Sequence, residues 1–289
     1  MSALERYEYP SPAELDSDAG IYFAVPSRII LDKDMGDKRM TAFSFFSIRR
    51  GLDCGVSFSI NGLVEWVGRK PDRHSNGING KFANAIECLE SEGYVSLSDK
   101  AKNSACIEAY FNLDKVSHEC KHDRFAIIYL DELKKILNYR NPNSKDTLLN
   151  NDNILLLFSY LRMMIFRRRN RLLPEEINLD NRCSHEYDVD MRRRKSPDAY
   201  NGYFCDIADE LGMPARTVSK AVAVLNDLGL IYSEQLPRTK HNGKWTTNHT
   251  VFCNCYKREG INLLASGEEY YMAEIHNKIE RLNRLSKEK

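Results

Sequence analysis

Long apolar runs, a phosphate-binding loop and C-x-x-C cysteine pairs are all missing from this chain of 289 residues. No stretch approaches the roughly 20 apolar residues that a membrane-spanning helix needs. The longest candidate, Ile154–Phe166, is interrupted by Ser159 and Arg162, so no membrane partner is expected. The start Met1-Ser2-Ala3-Leu4-Glu5 has neither a basic region nor an apolar core, so no signal peptide is expected. No G-x-x-x-x-G-K-S/T loop occurs, which argues against a P-loop helicase or loader. Nor is there an H-x-H pair of the kind that rolling-circle nickases place beside a nucleophilic tyrosine. The tyrosines are therefore no sign of strand cleavage, and no enzyme activity or cofactor is expected.

Cysteine is present but unorganised. Cys54, Cys88, Cys106, Cys120, Cys183, Cys205, Cys253 and Cys255 are scattered, and none forms a C-x-x-C pair. His118, Cys120 and His122 lie close together, as do Cys183 and His185, but four ligands do not converge in sequence, and no metal site is expected. Several cysteines are expected on inward faces of helices or strands, as small hydrophobes. That usage suits a reduced, cytoplasmic setting.

Apolar residues make up 42% and charged ones 29%, which describes ordinary globular material with enough length for two domains. The net charge of +1 implies nothing globally, but its distribution does. Residues 1–20 carry Glu5, Glu8, Glu14, Asp16 and Asp18 against Arg6 alone and read as an acidic flexible arm. Residues 213–258 carry Arg216, Lys220, Arg238, Lys240, Lys244, Lys257 and Arg258 against Asp227 and Glu234. Local basicity matters more than the total, because phosphate contacts act within a Debye length.

The basic region contains the clearest pattern. In Asp206–Met213, Ile207, Ala208 and Leu211 form a small apolar stripe on a first helix, and Gly212 supplies a left-handed turn. Pro214 pre-sets the start of a second helix, Ala215–Leu228. There Val218, Ala221, Val222, Leu225 and Leu228 recur at helical spacing and face inward. Arg216, Thr217, Ser219 and Lys220 are left on the opposite face. Gly229 stops the helix, and Ile231–Leu236 and Thr246–Tyr256 read as two strands joined by a tip rich in donors: Arg238, Thr239, Lys240, His241 and Lys244.

The same order occurs upstream. Arg39–Arg50 reads as a helix with Met40, Phe43, Phe46 and Ile48 inward, followed by a short strand, Val56–Ser59. Helices Ile60–Gly68 and Gly80–Glu92 come next, then a hairpin of Tyr94–Leu97 and Cys106–Leu113. Leu89–Val95 aligns with Leu225–Ile231, which places Phe82 and Ile86 on Val218 and Val222. The openings echo each other too, Tyr22–Val25 with Arg124–Ile128. A repeat of roughly a hundred residues means duplication of a whole domain. Residues 114–124 read as a linker and Tyr129–Tyr139 as a connecting helix. Asn153–Arg169 opens the second copy, with Ile154, Leu157, Phe158, Leu161 and Ile165 inward. The connection 172–200 is long and dense in charge. Met272, Ile275, Ile279, Leu282 and Leu285 mark an amphipathic helix in the tail, packed on its own chain or at a dimer contact.

Helix, turn, helix and hairpin in this order resemble the winged helix-turn-helix family. The resemblance implies a mainly α chain with small β-hairpin wings (α+β): two tandem winged-helix domains plus a C-terminal helix. The implied divisions are an arm at 1–20, domains at 21–116 and 153–258, a linker and connecting helix at 117–152, and the terminal helix at 259–289. Tandem winged helices of this length resemble the replication initiators of plasmids and the replisome organisers of phages and mobile elements. Double-stranded DNA is then the implied partner, with a homodimer and a helicase loader as further ones. A transcriptional regulator and a protein-interaction module without DNA affinity are the alternatives.

The resemblance puts base reading on Arg216, Thr217 and Ser219, and phosphate contact on Lys220. The wing residues Arg238, Lys240, His241 and Lys244 would track the backbone or the minor groove. In the first unit the turn Gly68–Gly77 is longer than the family's usual, and Gly80 stands where the other copy has Arg216. Arg69, Lys70, Arg73 and Lys81 there suit backbone contact, with dimerisation as the other option. Of two basic runs, Arg167–Arg169 and Arg192–Lys195, the second offers Arg193 and Arg194 to phosphates, or stands as a solvated face.

Overall fold

Tyr22–Pro26 forms a strand, β1, that runs directly into a short helix, α1 (Ser27–Leu31). Its partner lies about a hundred residues away: β5 (Phe125–Tyr129), which runs just as directly into α6 (Leu130–Asn138). The two strands pair antiparallel in a register symmetric about Ala24 and Ile127, from Tyr22 opposite Tyr129 to Pro26 opposite Phe125. Each strand is thus the mirror of the other's role, and each leads into one copy of the same series of elements. The computed structural model describes residues 22–49, 55–66, 69–72, 74, 76–140, 150–165, 199–236, 239–241, 244–246 and 249–254, together with 280 and 284. The acidic arm, the connection at 172–198 and nearly all of the terminal helix lie outside these.

After α1 and a 3-10 turn (Lys33–Met35) come α2 (Lys38–Arg49), β2 (Gly55–Phe58), α3 (Ile60–Trp66), α4 (Ile78–Ser91), β3 (Val95–Leu97) and β4 (Ile107–Phe111). Asp37 starts α2, its carboxylate accepting the Arg39 backbone N–H at 3.1 Å. After α6 come α7 (Asn151–Met164), β6 (Ala199–Tyr203), α8 (Phe204–Leu211), α9 (Ala215–Asp227), β7 (Ile231–Gln235) and β10 (His249–Asn254), with a tip ladder of β8 (Thr239–His241) and β9 (Lys244–Thr246). The three-stranded sheets have orders β2-β4-β3 and β6-β10-β7, which is one topology used twice. The fold is mixed, helices with small antiparallel sheets.

The ends of α4 and α9 match at the level of single hydrogen bonds. Gly93 and Gly229 both take positive φ, +74° and +66°, which a side chain would resist. Tyr94 N–H donates to Leu89 O at 2.9 Å, and Leu230 N–H donates to Leu225 O at 2.9 Å. Either set closes its helix with the same wrap of chain before the next strand starts.

At the centre are α2 and α7, equivalent helices packed on each other. Every side chain from Met40 to Ile48 is buried, and so is every one from Asp152 to Met163. One-faced helices were expected from the spacing of Met40, Phe43 and Phe46 and of Ile154, Leu157 and Phe158. The difference arises because α2 and α7 are covered by their own units on one side and by each other on the next. Most of the hydroxyls that this buries are satisfied locally: Thr41 donates to Met35 O at 2.7 Å, Ser47 to Phe43 O at 2.7 Å and Ser159 to Leu155 O at 2.8 Å, while Ser44 Oγ has no hydrogen-bond partner among the described residues.

Arg162 is fully buried in that core, with 0% of its surface exposed. A guanidinium cannot shed its charge, so burial demands an anion. Glu132 of α6 supplies it, forming an ion pair with Arg162 while its other oxygen accepts the Tyr129 backbone N–H at 2.9 Å. The guanidinium also lies over the Phe158 ring, 4.9 Å from its centroid.

Two further expectations change. The stretch 114–124 is mostly helix, α5 (Leu113–His122), started by Asn112, whose side chain accepts the Lys115 N–H at 3.0 Å. It packs on β1. Among the cysteines whose burial is described, Cys120 alone is buried, while Cys106 and Cys205 are exposed and Cys88 is intermediate. No described helix is long and apolar enough to cross a membrane.

The Arg162–Glu132 pair yields a direct test. Glu132→Ala strands a buried cation, and the unfolding free energy should fall by about 3–5 kcal/mol in urea titrations. A loss below about 1 kcal/mol would mean that the guanidinium has another sufficient anion.

Candidate nucleic-acid interface

The segment from α8 to β10 folds as its residue pattern requires. Ile207, Ala208 and Leu211 are buried, and Gly212 takes the left-handed conformation, φ 65° and ψ 35°, at the end of α8. Met213 N–H returns to Ala208 O at 3.0 Å. Pro214 stands at the start of α9, its carbonyl accepting the Thr217 N–H at 2.8 Å. Val218, Ala221, Val222 and Leu225 then face the core, and α9 packs on α7 as well as α8.

On the outer side of α9, Arg216, Ser219 and Ala223 are exposed and Lys220 is half-buried. Thr217 does not stand with them, because it is only 2% exposed. Its position explains this. Thr217 sits one turn before Ala221, so it extends the buried stripe toward the amino-terminal end. The outward set is therefore Arg216, Ser219 and Lys220, with Thr217 removed from it.

Beyond α9 the chain turns into the hairpin. Strand β10 pairs with β7 on one side and β6 on the other. The hairpin continues into its own short ladder, with Lys240 opposite Trp245 and His241 opposite Lys244. The backbone thus carries Lys240, His241 and Lys244 along paired strands, where the sequence pattern puts them in the tip that joins the two longer strands. Arg238 lies outside the described residues, as do Arg193 and Arg194 with their whole basic run.

The corresponding surface of the first unit differs. Lys70 and Lys81 are exposed, and Arg73 lies outside the described residues. Arg69 is committed elsewhere: its guanidinium reaches Asp152 at the start of α7, 2.7 Å away, and Asp152 is buried. The described part of the turn before α4 is also tied down. Asn79, in the first turn of α4, is buried; its amide accepts the Asp72 N–H at 2.9 Å and donates to Asn61 at 2.7 Å and Asn103 at 3.1 Å. Farther along the exposed side of α4 come Asn84, Glu87 and Glu90. The hairpin of this unit folds back as well, with the Lys102 and Asn103 carbonyls accepting the Ile60 and Asn61 N–H groups at 3.0 and 2.8 Å. Equivalent elements thus carry unlike surfaces: cationic and hydroxylic on α9, mixed in sign on α4.

One group of residues escaped sequence reasoning altogether. Tyr160 of α7 donates to the Glu210 carboxylate of α8 at 2.6 Å, and its hydroxyl lies 3.3 Å from that of Tyr200 on β6. Lys38 of α2 donates to the Glu210 carbonyl at 2.7 Å. Together they fix α8, and through it α9, to the central helices. A tyrosine on a buried helix and a glutamate on an exposed one carry no shared periodic signal; only the fold joins them.

Burial, followed by the bond to Glu210, pushes the Tyr160 hydroxyl well above its ordinary value of 10.0. Tyr94 is raised in the same sense, by burial and by its bond to Glu119. A raised folded-state value means that the contribution is complete below the unfolded pKa and is lost as pH climbs toward the folded one. Unfolding free energy should thus decline above pH 10, by up to about 1.4 kcal/mol per pH unit for each tyrosine. Tyr160→Phe should remove one tyrosine's share of that slope, and an unchanged slope would show that Tyr160 ionises freely in the folded protein.

Comparison with known proteins finds no family model that the chain matches and no curated protein of significant sequence similarity, so the reading of this surface rests on its geometry.

Proposed function

We propose that the protein binds double-stranded DNA sequence-specifically through tandem winged-helix units, and acts without catalysis as a replication initiator or replisome organiser of a plasmid, phage or mobile element. The supporting observation is the α8–Gly212–α9 arrangement, with Arg216 and Ser219 exposed near the start of α9 and a hairpin directly after it. A helix presented in this way fits a major groove by its amino-terminal end. Arg216 can donate twice to a guanine edge, and Ser219 can reach a base or phosphate. Lys220 and the hairpin's Lys240, His241 and Lys244 suit phosphates on either side.

The first unit takes a supporting part in this reading. With Arg69 paired to Asp152 and Glu87 and Glu90 outward on α4, base reading falls to the second unit. Lys70 and Lys81 remain for backbone contact, and the α4 face for a second copy or a helicase loader. A duplicated unit in the place where regulators carry a ligand-binding domain favours replication over transcription.

Gel shifts over a salt series test the reading, since phosphate contacts make affinity fall steeply as salt rises. Binding that ignores salt would contradict it. Arg216→Ala should cost about 1–3 kcal/mol at the preferred site and flatten the preference for it. Lys244→Ala should weaken binding to all sequences alike and lower the salt slope by about one. If neither change moves affinity, the DNA face has been misassigned. Selection of bound fragments would then separate an origin with repeats from a promoter.

A further inference from the structure

Helix α5 bears the sequence His118-Glu119-Cys120-Lys121-His122, which the DNA-binding reading leaves unused. Two histidines four apart stand on one helix face and are a recurrent chelating pair for zinc-like ions. The structure brings these two together: both are exposed, and their ring centroids lie 4.6 Å apart at an interplanar angle of 48°. Metal–nitrogen bonds of about 2.0–2.1 Å meeting at roughly 90–110° put two chelating imidazole centroids roughly 4.5–5.2 Å apart. The observed spacing falls in that range without any change of backbone. Among the described residues, neither ring has a hydrogen-bonding or ionic partner that would have to be displaced.

The intervening residues define what kind of site this is. In metallopeptidases the glutamate of H-E-x-x-H works as a general base on a metal-bound water. Glu119 is turned away from that task. It accepts the Tyr94 hydroxyl at 2.5 Å and lies 3.6 Å from Lys115 Nζ, which itself sits over the Tyr94 ring. Cys120 is buried in the core, away from the exposed face that carries the two rings. No three His, Cys, Asp or Glu side chains among the described residues converge as a metal site. Two imidazoles are what the helix presents.

We propose that His118 and His122 form a surface chelate for a borderline divalent ion such as Ni²⁺ or Zn²⁺, with its other positions open to water, and that the site is non-hydrolytic. Imidazole suits such ions, whereas Mg²⁺ demands oxygen ligands. The proposal is independent of DNA binding, because α5 is distant in sequence from α9 and packs on β1.

Titration calorimetry of the full-length protein with NiCl₂, ZnCl₂ and MgCl₂ tests it. The expected result is one Ni²⁺ site, a Zn²⁺ site on the same residues, and no Mg²⁺ binding. His118→Gln and His122→Gln should each weaken Ni²⁺ binding at least tenfold, while His74→Gln, at another exposed position, should leave it unchanged. Both rings face solvent, so the variants should keep the native circular dichroism. Histidine NMR signals give a second reading, since paramagnetic Ni²⁺ should broaden those of His118 and His122 first. Wild-type affinity in either variant, or broadening confined to other histidines, would overturn the proposal. So would an absence of Ni²⁺ binding at millimolar concentration.

Discussion

Everything else in this molecule depends on the burial of α2 and α7 against each other. Neither helix could be covered on all sides by its own unit, which supplies only a few short elements around it. Packing α2 and α7 on each other covers a side of both at once, and β1 paired with β5 closes the layer beside them. The solution has a condition attached. A helix buried on every side has no face for a charge, so Arg162 is tolerated only because α6 brings Glu132 to it. Asp152, at the other end of α7, is matched in the same way by Arg69 from the first unit. Ionic pairing thus operates at both ends of the central helix.

The two halves share an element order and a sheet topology but not a surface. Phe82, Ile86 and Leu89 on α4 do the packing that Val218, Val222 and Leu225 do on α9. The buried positions are apolar in both halves, whereas the outward ones differ: Gly80 against Arg216, and Glu87 against Ala223. Two halves with one topology therefore present unlike chemistry, and the hairpin of the first is tied to α3 by the Lys102 and Asn103 carbonyls.

Much of this was legible in the sequence, for identifiable reasons. Local rules hold wherever a single residue decides the conformation. Gly93, Gly212 and Gly229 end helices because they alone take positive φ without strain, and each was readable as a stop. Periodicity also placed the inward residues of α8 and α9, which have one covered face. It failed where coverage comes from two directions: Phe45 and Leu155 occupy positions that a one-faced helix would leave outside. Thr217 shows the same limit at a finer scale, since its burial depends on what lies over the first turn of α9. Long-range polar contacts were invisible for a different reason. Tyr160 meets Glu210, and Arg69 meets Asp152, only after the chain has folded.

The pairing of β1 with β5 also has a consequence in time. A strand near the start of the chain finds its partner only at Phe125–Tyr129, and the helix that completes its core follows at Asn151–Met164. During synthesis the first unit would emerge with β1 unpaired and one side of α2 bare. Closing so long a loop is slow compared with forming the local helices and hairpins around it. The first half therefore waits, partly assembled, for the ribosome to deliver the elements that finish it. Its exposed strand edge in that interval is a surface on which a neighbouring nascent copy could pair in place of β5.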